Sequence, residues 1–231
     1  WSGAPTPPRE EPEQGGRGRA LKPITSVQEV FDRFAIIYGH NKSLFDFQER
    51  MLLSIEDMKN ACSGRDIWRT WMESPDKTIV RIENVGFDPS ETDPNITCNL
   101  WGGWPMQPAE GDCTRLLELL HYLCETEGNH KDLYEWILKW LAYPLQHPGA
   151  KMKTAIVVHG PQRVGKNFFF ESYMQIFGEY GRVIDQDALE DKYNDCFSRK
   201  LFLIADEVIA RQELYHVKNK LKGMITGRHI R

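Results

Sequence analysis

The stretch that decides the fold is residues 159–170, HGPQRVGKNFFF. Gly160, four variable residues, Gly165 and Lys166 have the spacing of a loop that wraps around phosphate groups. Backbone N–H groups can converge on phosphate oxygens only where side chains leave room, which explains the glycines. The stretch predicts a phosphate-binding loop made of Gly160, Pro161, Gln162, Arg163, Val164, Gly165, Lys166 and Asn167.

The segments on both sides of the loop match the surroundings that such a loop requires. TAIVVHG, residues 154–160, is a β-branched apolar run typical of a buried parallel strand. FFFESYMQIFG, residues 168–178, is typical of a helix that closes near Gly178, and its N-terminus would add partial positive charge. Strand, glycine loop and helix predict an α/β fold with a parallel sheet, and Lys166 would reach the β- and γ-phosphates.

A second motif follows in KLFLIADE, residues 200–207, an apolar strand that ends in two carboxylates. Such an ending is common and usually structural, but here it follows a glycine loop. Asp206 could hold Mg²⁺, and Glu207 could orient or deprotonate an attacking water. Together the two motifs indicate an ATP site with Mg²⁺ as its metal.

Asn167 stands where the usual phosphate-loop pattern has Ser or Thr. Mg²⁺ prefers hard oxygen ligands, and an amide carbonyl offers a neutral oxygen as a hydroxyl does. Asn167 and Asp206 are therefore predicted on the metal side of the site. The substitution should tune the metal geometry rather than abolish binding.

Bulk properties exclude several other classes of protein. The chain has 231 residues, a net charge of -4 and a hydrophobic fraction of 41%, as ordinary soluble proteins do. No apolar run approaches the roughly 18 residues of a membrane span, and no signal peptide is evident, which favours a cytoplasmic protein. Five cysteines, an odd number, favour reduced thiols over a disulfide framework or a metal cluster.

Changes in composition divide the chain into five segments. They are a Pro- and Gly-rich disordered lead-in (1–20), an accessory α/β segment (21–88), a Trp-, Gly- and Pro-rich connector (89–110), a helical segment (111–150) and the first part of an ATPase domain (151–231). In the accessory segment we expect a helix over residues 26–38, an amphipathic stretch over 46–62 and a strand over 77–87.

The connector and the helical segment carry most of the large apolar residues. Trp101 and Trp104 could stack on bases, although we favour rings that pin the connector onto the next domain. Leucines and tryptophans recur at helical spacing through residues 111–143, before Pro144 ends the second helix, and predict a packing core.

Basic residues are concentrated at the end of the sequence. Residues 211–231 hold six Lys or Arg and one Glu, a net charge of +5 in a chain of net charge -4. Such segregation can mark an anion-binding surface, although a solvated helix face is the commoner explanation.

The sequence resembles superfamily 3 helicases, in particular phage and virus primase-helicases related to the poxvirus primase-helicase. The features that carry the resemblance are GPQRVGKN, its short spacing to LFLIADE, and the following LKGMITG. The resemblance covers residues 85–231. It implies a P-loop ATPase with Lys166 and Glu207 as catalytic residues, acting in phage or prophage DNA replication as a homo-hexamer around DNA. It also makes four basic residues candidate DNA contacts: Lys218, Lys220, Lys222 and Arg228.

The resemblance places a sensor asparagine and an arginine finger beyond residue 231. A chain without them is expected to bind ATP better than it hydrolyses ATP, because an arginine finger contributes about 10³- to 10⁵-fold in rate. Two other hypotheses remain open. One is a non-catalytic module that binds nucleotide or DNA, and the other is a small-molecule kinase on a P-loop fold.

Overall fold

The computed structural model describes residues 20–125, 128–185, 197–206 and 215–227. Over these residues the chain is a mixed α/β protein, as the sequence predicts. It contains a four-stranded sheet and two pairs of parallel strands. None of the helices in these ranges combines the length and apolar character that crossing a bilayer requires.

The first part of the chain forms the four-stranded sheet and three helices. In chain order the elements are α1 (Val27–Arg33), β1 (Phe34–Tyr38), β2 (Ser43–Asp46), β3 (Met51–Ser54), α2 (Ile55–Ala61), α3 (Arg65–Glu73) and β4 (Ile79–Arg81). The strand order is β3-β2-β1-β4, and only the β1–β4 pair is parallel within this sheet. Ser26 and Ser54 cap α1 and α2 with their side chains.

The predicted helix over residues 26–38 is wrong in its second half. The helix ends at Arg33, and FAIIY forms the central strand β1. Phe34 packs in one apolar cluster, whereas its neighbour Ala35 packs in another. This alternation between two buried faces favours a strand, because it has a period of two residues.

The other two expectations for this segment are correct only in part. Residues 46–62 are not one amphipathic element, because β3 and α2 follow each other directly within them. The strand expected over residues 77–87 is divided by a 3₁₀ turn, Ile82–Asn84, into β4 and β5 (Val85–Gly86). Strand β5 pairs in parallel with β6 (Cys98–Asn99) of the connector.

The second part of the chain contains the remaining elements. They are α4 (Thr114–Cys124), α5 (His130–Gln146), α6 (Lys166–Met174), a 3₁₀ helix (Gln175–Tyr180), β7 (Gly181–Ile184), β8 (Phe202–Ala205) and α7 (Tyr215–Thr226). The two predicted helices of the helical segment are confirmed as α4 and α5. Pro144 does not end α5 but lies inside it, two residues before its last residue.

One apolar cluster joins five of these elements. It contains Leu120, Ile137, Phe169, Phe177 and Phe202, one or more each from α4, α5, α6, the 3₁₀ helix and β8. The predicted strand over residues 154–160 is not formed within the described ranges, and the Val157 side chain is 86% exposed. A β-branched run becomes a strand only when a neighbouring strand pairs with its backbone.

Candidate functional site

The glycine loop lies between residues 154–159, which form neither helix nor strand, and α6. Its backbone takes left-handed values at Gly160 (φ 147°), Arg163 (φ 65°) and Gly165 (φ 89°). Gly165 precedes the first residue of α6, and a Cβ there would lie 3.0 Å from Leu119 Cδ1. The left-handed backbone favours glycine at this position, and any larger residue would also have to displace the Leu119 side chain.

Aromatic side chains attach helix α6 to the apolar cluster and to α5. Phe169 and Tyr173 are buried, and the Tyr173 hydroxyl donates a 2.6 Å hydrogen bond to the Leu141 carbonyl of α5. Burial raises the pKa of Tyr173, so the phenol remains a donor at neutral pH. These contacts fix the direction in which the N-terminus of α6 points.

Lys166, the first residue of α6, folds back onto the loop. Its Nζ donates to the carbonyl oxygens of Gly160 at 3.1 Å and Pro161 at 2.5 Å. The ammonium therefore lies at the mouth of the loop. A phosphate group at this position would replace the two carbonyls as the acceptor of the Lys166 ammonium. The exchange is favourable because a charged acceptor binds an ammonium more strongly than a neutral carbonyl does.

Asn167 and Asp206 are brought together by the fold, although they are 39 positions apart. Asn167 Nδ2 lies 3.1 Å from both carboxylate oxygens of Asp206. Asp206 directly follows β8, and its backbone N–H donates to the Ile184 carbonyl at 3.1 Å, which extends the β7–β8 ladder by one bond. The carboxylate therefore projects from the carboxyl end of a parallel strand toward the first turn of α6.

These residues fit a nucleotide with a divalent cation. No side chain among the described residues caps the N-terminus of α6, which leaves its first N–H groups available to an anion. Lys166 supplies the positive charge for phosphate oxygens, and Asp206 supplies a hard carboxylate oxygen of the kind that Mg²⁺ prefers. Pro161, Gln162 and Arg163 of the loop are exposed, and Val164 is half-buried.

Several predicted site residues fall elsewhere. Glu207 and Arg228 lie outside the described residues. Lys218 belongs to α7, but its side chain is not among those that the structure describes. The Lys220 ammonium lies 4.9 Å from the centre of the Phe197 ring, a cation–π contact. Lys222 is exposed on α7.

The tryptophans of the connector serve packing. Trp101 is only 5% exposed and contacts Tyr180, with the ring centres 4.6 Å apart. The Tyr180 hydroxyl accepts a hydrogen bond from the Gly102 backbone N–H at 3.1 Å. Trp104 contacts Phe177 edge to face. The rings pin the connector onto the 3₁₀ helix that follows α6, as the favoured interpretation predicts.

Three residues that make long-range contacts around the site belong to no sequence motif. They are Leu119, which lies against Gly165, Tyr180, which holds the connector, and Lys151, whose ammonium donates to the Met224 carbonyl of α7. Their contacts span long separations along the chain, so local patterns could not have identified them.

The thiols among the described residues do not form a metal-binding cluster. Cys62, Cys98, Cys113 and Cys124 are all free, and within the described ranges no three His, Cys, Asp or Glu side chains form a cluster suited to a metal. Burial raises the pKa of Cys98 to about 11. This thiol therefore stays protonated at neutral pH and acts as an apolar core residue.

Comparisons with known proteins relate the chain to one fold. Residues 158–231 match a family of unknown function, DUF5906. An apo structure of the NrS-1 C-terminal region has a TM-score of 0.61 and 17% identity over 84% of this chain and 47% of that chain. The A-form apo structure of the same region has a TM-score of 0.59 and 18% identity, over 84% and 46%.

The likeness to NrS-1 shows a shared fold. The chain spans just under half the length of those two structures. No curated protein matches the chain.

Proposed function

We propose that this chain carries the ATP-binding part of an ATP-dependent DNA helicase that acts in phage or prophage DNA replication. The observation that carries the proposal is the contact between Asn167 and Asp206 beside the Gly160–Gly165 loop. Two motifs that are separate in the sequence converge at the N-terminus of one helix, where a nucleotide's phosphates and Mg²⁺ would be held together.

Each residue has a role in this proposal. The backbone of residues 160–165 and the first turn of α6 surround the phosphates, and Lys166 neutralises their charge. Asp206 holds Mg²⁺, which would polarise the transferred phosphoryl group. Glu207, the next residue, orients or deprotonates the attacking water.

The assignment to DNA replication rests on the shared fold. NrS-1, whose C-terminal region has this fold, is a phage primase-helicase. The motifs of the glycine loop and of β8 resemble the same class of protein. Because the chain spans under half of those structures, the activity of the whole protein, its assembly as a homo-hexamer and its cytoplasmic location are all part of the proposal.

DNA is the proposed macromolecular partner. Helix α7 and the residues that follow it hold the basic residues Lys218, Lys220, Lys222 and Arg228. Lysines that face DNA backbone release counterions on binding, so each contributes to the salt dependence of affinity. Among the described residues, exposed Lys222 is the best candidate for a DNA contact, because the Lys220 ammonium already contacts the Phe197 ring.

Strand unwinding by the full-length protein tests the proposal. Lys166→Ala and Glu207→Gln should each abolish ATP-dependent unwinding of a forked duplex, whereas Lys139→Ala, a change of an exposed α5 lysine, should not. Unwinding that persists in Lys166→Ala would overturn the proposal.

ATP turnover distinguishes the alternative functions. Stimulation of ATP turnover by DNA would favour a helicase over a small-molecule kinase, and ATP binding without any turnover would favour a non-catalytic module.

A further inference from the structure

The hydrogen bond between Asn167 and Asp206 identifies which end of the amide is used. A carboxylate has no hydrogen to donate, so the group that faces it must be the amide NH₂. Asn167 Nδ2 lies at the same distance, 3.1 Å, from Oδ1 and Oδ2 of Asp206. The amide carbonyl, the atom expected from sequence to approach a metal, is not the atom directed at Asp206.

The backbones of both partners are held by regular structure. Asn167 is the second residue of α6, between Lys166 and the buried Phe169. Asp206 directly follows the last residue of β8. Its backbone is fixed by the bond to Ile184, while its half-buried side chain receives two hydrogen bonds from Asn167. Asn167 thus links the first turn of α6 to the carboxylate that follows β8.

We propose that Asn167 is a positioning residue for Asp206 and not itself a metal ligand, an inference that rests on the proposed ATP–Mg²⁺ site. A carboxylate offers about four acceptor positions on its two oxygens, so an amide donor leaves capacity for a cation. Holding the carboxylate in one orientation before the metal arrives reduces the conformational entropy lost on metal binding. The residue that replaces Ser or Thr therefore acts through Asp206.

A double-mutant cycle separates positioning from ligation. Mn²⁺ is titrated, with detection by electron paramagnetic resonance, into the full chain saturated with a non-hydrolysable ATP analogue. The four proteins are the unmodified chain, Asn167→Leu, Asp206→Ala and the double variant. Asn60→Leu, a change of an exposed asparagine in α2, is the control for a general effect of the substitution.

A positioning residue loses its effect when its target is removed. Asn167→Leu should weaken Mn²⁺ affinity about 10-fold in the unmodified chain, within the range seen for residues that support metal ligands. In the Asp206→Ala background the same change should alter the affinity less than about 2-fold. An equal loss in both backgrounds would show that Asn167 binds the metal directly, and would overturn the proposal.

A second readout needs neither metal nor nucleotide. In the chain labelled with ¹⁵N-asparagine, the Asn167 side-chain NH₂ signals are identified by their loss in Asn167→Ser. Asp206→Ala should shift these signals, because it removes their acceptor. Unchanged signals would overturn the positioning role. Failure of the unmodified chain to bind the analogue would instead overturn the proposed function, so the two failures are distinguishable.

Discussion

The Lys151 ammonium donates a hydrogen bond to the backbone carbonyl of Met224, and so joins the segment before the glycine loop to the last turn of α7. The two residues are 73 positions apart. A cation at the C-terminal end of a helix is favourable because the last carbonyls have no partner within the helix. The basic helix is thereby attached to the chain that leads directly into the candidate site.

Removing this contact should loosen α7. Lys151→Met keeps the length of the side chain but cannot donate, so amide hydrogens of residues 221–227 should exchange at least about 5-fold faster, as a loss of about 1 kcal/mol implies. Hydrogen exchange with mass spectrometry measures this. Lys153→Met, a change of an exposed lysine in the same segment, is the control and should leave the exchange rate unchanged.

Replacing Gly165 should damage both stability and the site. Gly165→Ala places a Cβ in a left-handed conformation (φ 89°) and 3.0 Å from Leu119 Cδ1, which should cost about 1–2 kcal/mol. Urea unfolding measures the cost, and titration with a fluorescent ATP analogue measures binding. Gly111→Ala, where a Cβ meets nothing within 4 Å, should be nearly neutral. Equal stability of the two variants would contradict the loop geometry.

The buried ion pair of the four-stranded sheet should matter far more than an exposed one. Arg33 and Asp46 form three hydrogen bonds of 2.8–3.0 Å, and these bonds raise the pKa of Arg33. Asp46→Ala leaves the buried guanidinium with only the more distant Glu49 carboxylate, at 3.8 Å, and should cost about 3–5 kcal/mol in urea unfolding.

The control for this prediction is the pair between Arg69 and Glu73, which has a similar distance, 2.9 Å, but side chains 67% and 68% exposed. Glu73→Ala should cost less than about 1 kcal/mol. If the two substitutions cost the same, burial of the Arg33–Asp46 pair would not explain its contribution.

Acidification should destabilise the connector through Asp88. The Ser90 hydroxyl and three backbone N–H groups donate to this carboxylate and hold its pKa below the ordinary value of 3.8. The unfolded chain therefore binds a proton first, and stability falls as pH falls from about 3.8 through the lower folded pKa.

Thermal melting across this pH range measures the effect. Asp88→Asn should lower the melting temperature at neutral pH and should show a smaller further loss on acidification than the unmodified chain. Glu91→Gln, a change of an exposed carboxyl in the same loop, is the control. An acid dependence unchanged by Asp88→Asn would contradict the role of this carboxylate.

Local patterns predicted the parts of the site that local geometry determines. The glycine spacing predicted a helix from residue 168, two residues after the observed start of α6 at Lys166, and the apolar run before Asp206 predicted the end of β8. Because helix N-termini and strand ends are specified by neighbouring residues, Lys166, Asn167 and Asp206 could be named from sequence. The direction of the Asn167 amide could not, since it depends on a contact 39 positions away.

The two errors in predicting strands also come from contacts that are distant in the sequence. FAIIY continues the helical spacing of α1, yet it forms β1 because β2 and β4 are available on both sides to pair with it. TAIVVHG has a stronger strand composition but pairs with no strand in the described ranges. Strand formation depends on partners that are distant in the sequence, and composition alone does not supply them.

Titration of Mg²⁺–ATP into the chain, followed by calorimetry, tests the central claim most directly. The unmodified chain and Lys139→Ala should bind with the same affinity. Lys166→Ala should bind at least about 10-fold more weakly, since it loses a charged hydrogen-bond donor worth about 1.4 kcal/mol or more. Absence of binding by the unmodified chain, or equal binding by Lys166→Ala, would contradict the assignment of residues 160–167 and Asp206 as a nucleotide site.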